Sequence, residues 1–315
     1  MEYRRVTSES DIADAALLAA AAHERLTQKI NALPARSAQD FAGRLEYVVG
    51  NGAIVGQFAD GRLTSFLGAI AVPDFRNAGP GSYGPDWCHG FAAAVDEQAS
   101  IRALYRELAP HFLEQGMRIQ AFGFYAPERR AVAAMHGLGF GEIVIDAVAA
   151  ASELVGIRDA SPPHTVRRAE PSDSETLAEL NDALARHIGA SPIFLPDARG
   201  MGAEAWSAWL EDESHIALLA TEGAETIGYI KAEAPAFDVS YSVQDASVLG
   251  INGMFVAPGA RRRRTGAELL AALARTAQER GKTVVSVDFE TANTEAHAFW
   301  LRWFTPLTVS LERRL

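Results

Sequence analysis

Met254-Phe255-Val256-Ala257-Pro258-Gly259-Ala260-Arg261-Arg262-Arg263-Arg264-Thr265-Gly266-Ala267-Glu268-Leu269-Leu270 reads as an apolar strand that passes through a basic loop directly into a helix. Such a junction is an anion cradle. The first N–H groups of a helix have no intrahelical partner, and the macrodipole places partial positive charge there. Gly266 and Ala267 are small enough for a phosphate to reach the backbone, and Arg261, Arg262, Arg263 and Arg264 add charge and donors at the same point. The competing reading of four consecutive arginines is a solvated charge run or a nucleic-acid patch, which predicts steeply salt-dependent DNA affinity. The chain carries a formal charge of -11 and offers no second basic cluster or interleaved aromatic stripe, so the cradle is the favoured reading.

The 315 residues suggest two domains, and 48% apolar with 22% charged residues is enough for each half to build a core. The excess of acidic side chains argues against nucleic acid and anionic membranes as partners and leaves a cationic amine substrate allowed. Cys88 is the single cysteine, so no disulfide forms within the chain, which fits a reducing, cytoplasmic setting. Beside Trp87 it reads as packing rather than as a nucleophile. Glu2, Glu9, Asp11 and Asp14 surround the modest apolar run Ala15 to Ala22, a pattern that predicts neither a signal peptide nor a membrane span. Histidines and carboxylates are scattered without ligand spacing, so no metal site is expected.

The two halves echo each other. Ser8-Glu9-Ser10-Asp11 returns as Ser172-Asp173-Ser174-Glu175, Arg4 as Arg168, His23 as His187 and Phe140 as Phe304, each 164 residues on. This duplication predicts a first domain over 1–156, a Gly/Ser/Pro linker over 157–164 and a second domain over 165–315. In the second half the pattern predicts a strand at 165–168, a leucine-faced helix capped at Ser172 or Asp173, and a less regular helix carrying Trp206 and Trp209. Strands at 215–221, 226–234 and 247–256 follow, then the arginine-capped helix ending at Gly281. A strand at 283–290, a helix over 293–303 and a strand at 307–313 complete it. The first half fits the same plan less clearly, with strands at 53–59, 63–71 and 118–124 and helices at 101–115 and 127–138. The stretch 77–85, rich in Gly and Pro, reads as a loop.

Strand, Pro, then a basic residue and a small residue opening a leucine-bearing helix resembles the acyl-CoA loop of the GNAT superfamily of N-acyltransferases. Arg261, Gly266 and Leu269-Leu270 fall in register with that loop, while Arg264 replaces its first glycine. Asn293-Thr294-Glu295-Ala296-His297-Ala298-Phe299-Trp300-Leu301-Arg302-Trp303-Phe304 is similar to the family's Asn-x-x-Ala-x-x-Phe-Tyr-x-x-Gly-Phe, with Trp300 at the tyrosine and Trp303 at the glycine. The resemblance implies an α/β (α+β) chain of two tandem GNAT folds, each a mixed, mostly antiparallel central sheet flanked by helices. It further implies acetyl-CoA as co-substrate and direct transfer to a small-molecule amine. Met254, Phe255, Val256, Arg261 to Arg264, Thr265, Gly266, Ala267, Asn293, Phe299 and Trp300 would then bind the coenzyme.

In the first half, superposing Gly116 on Gly281 lays Asp96, Glu97 and Ile101 where Arg261, Arg262 and Gly266 stand. Two carboxylates repel a diphosphate, so this half is expected to be a degenerate copy. Trp300 has no dissociable hydroxyl and cannot act as the acid that protonates the leaving thiolate. No carboxylate lies within 247–256, so Asp288 and Glu290, which share one face of the next strand, are the candidate bases. Tyr229, Tyr241, His215 and His297 are weaker candidates. Asn252-Gly253 could form a bulge that starts a splay between strands. A non-catalytic acyl-CoA-binding or scaffolding protein is the alternative class. Only one strand fits after Phe304 where the family commonly has two, so the second sheet is expected to borrow closure from the first half or from a partner chain, as in a homodimer.

Overall fold

The computed structural model describes all residues except 158–163 and 235–239, so most of the expected linker lies outside the described residues. The chain forms two compact units that interleave along the sequence. One comprises 1–145, 240–242 and 306–315, the other 146–239 and 243–305.

The first unit begins with β1 (Glu2–Arg5), α1 (Glu9–Thr27), α2 (Ala38–Asn51), β2 (Gly52–Ala59) and β3 (Arg62–Val72). It continues with β4 (Gly81–Gly84), β5 (His89–Phe91), α3 (Glu97–Leu113), β6 (Ile119–Tyr125) and α4 (Arg129–Gly137). The alanine run of the sequence is the inner stripe of α1: Ala15, Ala16, Ala19 and Ala22 recur at helical spacing, all are buried, and Ser8 caps the helix by accepting from the Asp11 N–H at 3.2 Å. The sheet runs in the order β1-β2-β3-β4-β6, with β5 pairing to β3. Part of the stretch expected as a loop is therefore strand: Gly81–Gly84 pairs antiparallel to β3 and parallel to β6. Glycines allow that pairing, because a Cβ on Gly84 would stand 2.4 Å from the Phe122 ring and 2.5 Å from the Gly68 carbonyl oxygen.

Strand β7 (Gly141–Ala150) passes from the first unit to the second, where α5 (Ala151–Val155) follows. The second unit then contains β8 (Thr165–Arg168), α6 (Ser174–Gly189), α7 (Ala203–Leu210), β9 (Ile216–Glu222), β10 (Glu225–Glu233), β11 (Val248–Val256), α8 (Thr265–Glu279), β12 (Val284–Glu290) and α9 (Thr294–Trp300). Its strands are ordered β12-β11-β10-β9-β8, antiparallel except for the parallel pair β11–β12. Helices α6 and α7 cover one face through Leu177 and Trp206, which pack with Leu219, Tyr229 and Phe255. The buried row Leu269, Leu270, Leu273, Ala274 and Ala277 of α8 covers strands of the same sheet. The expected fold class, mixed α/β with mostly antiparallel sheets flanked by helices, is observed in both units.

The last strand, β13 (Thr305–Arg314), lies in the first unit and pairs antiparallel with β6 from Thr308↔Tyr125 to Arg314↔Ile119. The first unit thus takes its closing strand from the C-terminus, while Asp146 to Gly156 of the N-terminal half belong to the second. The two units share an ion pair between the first strand and the start of the helix that follows it. Arg4 meets Asp11 at 2.6 and 3.0 Å, and Arg167 meets Asp173 at 2.7 and 2.6 Å. The counterpart of Arg4 is therefore Arg167, one residue earlier than the constant spacing predicts.

Candidate functional site

In the second unit, β10 and β11 pair through Lys231↔Gly253 and Ala232↔Ile251, which leaves Asn252 as the extra residue of a bulge. The registered pairs between β11 and β12 run only from Val248↔Val284 to Ile251↔Val287. Bulges raise local twist and end pairing, so the sequence Asn252-Gly253 sits where the two strands part. Met254 to Val256 stay paired with β10 and have no registered partners on β12.

The chain then makes its basic turn. Ala257 donates to the Ile227 carbonyl at 2.9 Å, Pro258–Ala260 forms one 3-10 turn, and the Thr265 hydroxyl donates to the Ala260 carbonyl at 3.0 Å. Arg262 and Arg264 have φ of 60° and 69°, the left-handed region that costs an L-residue about 1–2 kcal/mol. Arg264, which stands where the family loop has glycine, therefore keeps the backbone geometry of glycine. Strain of this kind concentrates at ligand-binding turns.

The four arginines divide into two pairs of roles. Arg261 donates to Glu295 Oε2 at 2.5 Å and to the Val256 carbonyl at 3.1 Å, which ties the turn to the first residues of α9. Arg263 forks onto both oxygens of Glu222, at 3.1 and 2.5 Å, and this bond holds the Glu222 carboxyl below its ordinary range. Arg262 and Arg264 are exposed at the mouth of α8. Arg261 and Arg263 thus brace the loop against carboxylates, and Arg262 and Arg264 lie at the surface where α8 opens.

Gly266 has a second task that the sequence did not disclose. A Cβ there would stand 2.7 Å from Met254 Cε and 3.2 Å from the Phe299 ring, so the missing side chain lets α8 close onto β11 and α9. Met254, Gly266 and Phe299 meet at that point. Asn293 caps α9, its Oδ1 accepting from the Ala296 N–H at 3.0 Å, which leaves its amide NH2 as donors. Trp300 is 6% exposed and sits edge-on between Phe299 (4.8 Å) and Phe304 (5.4 Å), the setting of a packing aromatic.

Asp288 is exposed and Glu290 half-buried, alternating with buried Val287 and Phe289, so both share one face of β12 beyond the point where its pairing with β11 stops. The face covered by α6 and α7 carries residues the sequence reading passed over. Tyr229 and Lys231, two apart on β10, point there together: Tyr229 packs with Trp206, and the Lys231 ammonium lies 5.4 Å from the ring centres of both Trp206 and Trp209. Period two along 229–233 is the signal that could have found them. Tyr229 is fully buried and accepts from Asn181 Nδ2 at 2.9 Å; burial holds its hydroxyl far above the ordinary range, so it is a poor proton donor. Tyr241 belongs to the first unit, against Phe41 and Trp87 with the Arg44 guanidinium 3.3 Å from its ring centre. His297 packs edge-on to Phe289.

The counterpart in the first unit is closed. Asp96 caps α3 with its own carboxylate, accepting from the Gln98 N–H at 3.2 Å and pairing with Arg130 at 2.8 Å. Ile101 is fully buried, and α3 has 17 residues against 15 in α8, so extra helix stands where the second unit has its loop.

Comparison with known proteins matches the family model described as Acetyltransferase (GNAT) family to residues 176–304. No curated protein matches the chain. A GCN5-related N-acetyltransferase from Sphaerobacter thermophilus is similar in structure at 15% identity, with 99% of this chain and 95% of that chain covered and a TM-score of 0.56. A glucosamine N-acetyltransferase region of a fungal multi-domain β-N-acetylglucosaminidase gives 13% identity, 99% and 38% coverage and a TM-score of 0.53. A tandem GNAT protein of the clavulanic acid biosynthesis pathway gives 13% identity, 99% and 98% coverage and a TM-score of 0.50. These likenesses concern the fold.

Proposed function

Because residues 176–304 match the acetyltransferase (GNAT) family model, we propose that the second unit is an acetyltransferase of that kind, which binds acetyl-CoA and passes the acetyl group directly to a small-molecule amine. The observation that carries this reading is the parting of β11 from β12 at Ile251, immediately ahead of the strained arginine turn. The diphosphate rests on the N–H groups that open α8 at Thr265, Gly266 and Ala267, with Arg262 and Arg264 beside it. The pantetheine amides pair with Met254 to Val256 on the side away from β10, and Asn293 and Phe299 flank the arm.

In the transfer, the amine lone pair forms the C–N bond at the thioester carbonyl, the C–S bond breaks, and its electron pair leaves on sulfur. The ammonium proton passes through water to Asp288 or Glu290, and solvent supplies the proton that the thiolate takes, because Trp300 has none to give. The first unit keeps the fold without the cofactor. Among the described residues no helix is long and apolar enough to cross a membrane, and no cluster of three or more ligand-type side chains could hold a metal ion.

The second reading, an acyl-CoA-binding pseudoenzyme, is favoured by Trp300 at the tyrosine position. Thiol release from acetyl-CoA over a panel of amines separates the two: turnover that disappears in Arg262→Glu/Arg264→Glu supports transfer, whereas coenzyme uptake without turnover of any amine sinks it.

A further inference from the structure

The face of β10 under α6 and α7 holds a cation and an anion at the bulge. The Lys231 stem lies across Gly253, whose Cβ would stand 2.9 Å from Lys231 Cε, and its ammonium is kept over Trp206 and Trp209 and 3.7 Å from Met201 Sδ. Met201 is fixed in turn, its N–H donating to Asn181 Oδ1 at 2.7 Å. Trp206 is wholly buried and its indole N–H has no acceptor among the described residues, which places a second donor on the same face. Two residues on, the Glu233 carboxylate faces His215 Nε2 at 3.6 Å. His215 is itself locked, with Nδ1 2.7 Å from the Trp209 carbonyl and its ring stacked on Trp209 at 4.3 Å and 8°.

Side chains two apart on a strand share a face at roughly 6.6 Å spacing. A small zwitterion spans that gap, with its carboxylate on Lys231 and its ammonium toward Glu233. The net charge of -11 repels free anions, so a cation held at the bulge is what would admit one. We propose that the acceptor is an aminocarboxylate, an amine bearing a nearby carboxylate, and that Lys231 selects it. The inference rests on the acyl transfer proposed above.

The test uses matched pairs on the full chain: L-tryptophan against tryptamine, L-phenylalanine against phenethylamine, and glycine against methylamine, read as kcat/KM for thiol release from acetyl-CoA. A charge-assisted hydrogen bond supports a preference of about ten- to hundredfold for the carboxylated member. Lys231→Met, which keeps the stem, should erase that preference while coenzyme affinity by calorimetry stays unchanged, and Lys231→Arg should retain it. Binding gives a readout independent of turnover: N-acetyl-L-phenylalanine should bind the coenzyme-saturated protein more tightly than N-acetylphenethylamine. Equal or better use of the decarboxylated amines, a preference that survives Lys231→Met, or uptake of neither N-acetyl compound overturns the proposal. Failure to take up coenzyme A overturns the acyl-transfer reading instead.

Discussion

Helices α8 and α3 occupy matching places in the two units, yet their N-termini have opposite chemistry. At α8 two exposed arginines in left-handed geometry open the helix with no side-chain cap hydrogen bond, and a glycine lets the helix close onto β11 and α9. At α3 the Asp96 carboxylate already fills the cap and Ile101 is buried in the core. On the proposed reading the α8 junction holds an anion site, whereas the α3 junction has satisfied itself. A helix N-terminus becomes a ligand site only when the protein withholds its own acceptor.

The comparison is broken most forcefully at its buried positions. Ile101→Gly should cost about 4 kcal/mol in urea unfolding, from lost burial, a cavity and helix propensity, and should gain no coenzyme binding. Recovery of binding there would show that side-chain volume alone closed the first cradle. Gly266→Ala should cost less, about 1–3 kcal/mol, because the Met254 methyl can move aside although the Phe299 ring must also yield.

The first unit also stores a buried acid. Asp86 is 5% exposed and accepts from Ser240 and Ser242 at 2.8 and 2.7 Å. Burial raises its carboxyl above the ordinary range, more than those hydrogen bonds lower it. A raised folded value means that the group stabilises the fold below the ordinary carboxylate range and loses that contribution as pH rises through the folded value. Asp86→Asn should therefore raise Tm more at pH 8 than at pH 4, by thermal scans at both; an equal change at the two values would contradict the assignment.

Arg264→Gly should sharpen the contrast by a smaller amount, stabilising the second unit by about 0.5–1 kcal/mol as left-handed strain is relieved against the entropy glycine adds to the unfolded chain. Smallest of all, Arg167→Ala should cost under about 1 kcal/mol, since the Arg167 side of its pair with Asp173 is exposed.

Much of the second unit was legible because strong local signals agreed. The strand expected at 247–256 is Val248–Val256, and the helix ending at Gly281 ends there with that glycine at φ 71°. The bulge at Asn252 was readable as a Gly-bearing irregularity in an apolar strand. The first unit was harder. Helix α2 escaped notice, and β4 was hidden by glycines whose reason is close approach of neighbouring strands, which composition reports as a loop. The partner of β13 is a long-range pairing that no local pattern encodes; the shortage of residues after Phe304 pointed only to borrowed closure. In the site, the arginine run showed charge but not its division, because Glu222 and Glu295, the carboxylates that neutralise Arg263 and Arg261, are remote in sequence. Lys231 went unseen because a single lysine on a strand reads as a solvated side chain until α7 is placed over it.

Calorimetric titration of the full chain with coenzyme A tests the central contrast most directly. One equivalent per chain, lost in Arg262→Glu/Arg264→Glu and unaffected by Asp96→Ala, is the predicted result. Two equivalents, none, or one that survives the arginine reversal would contradict it.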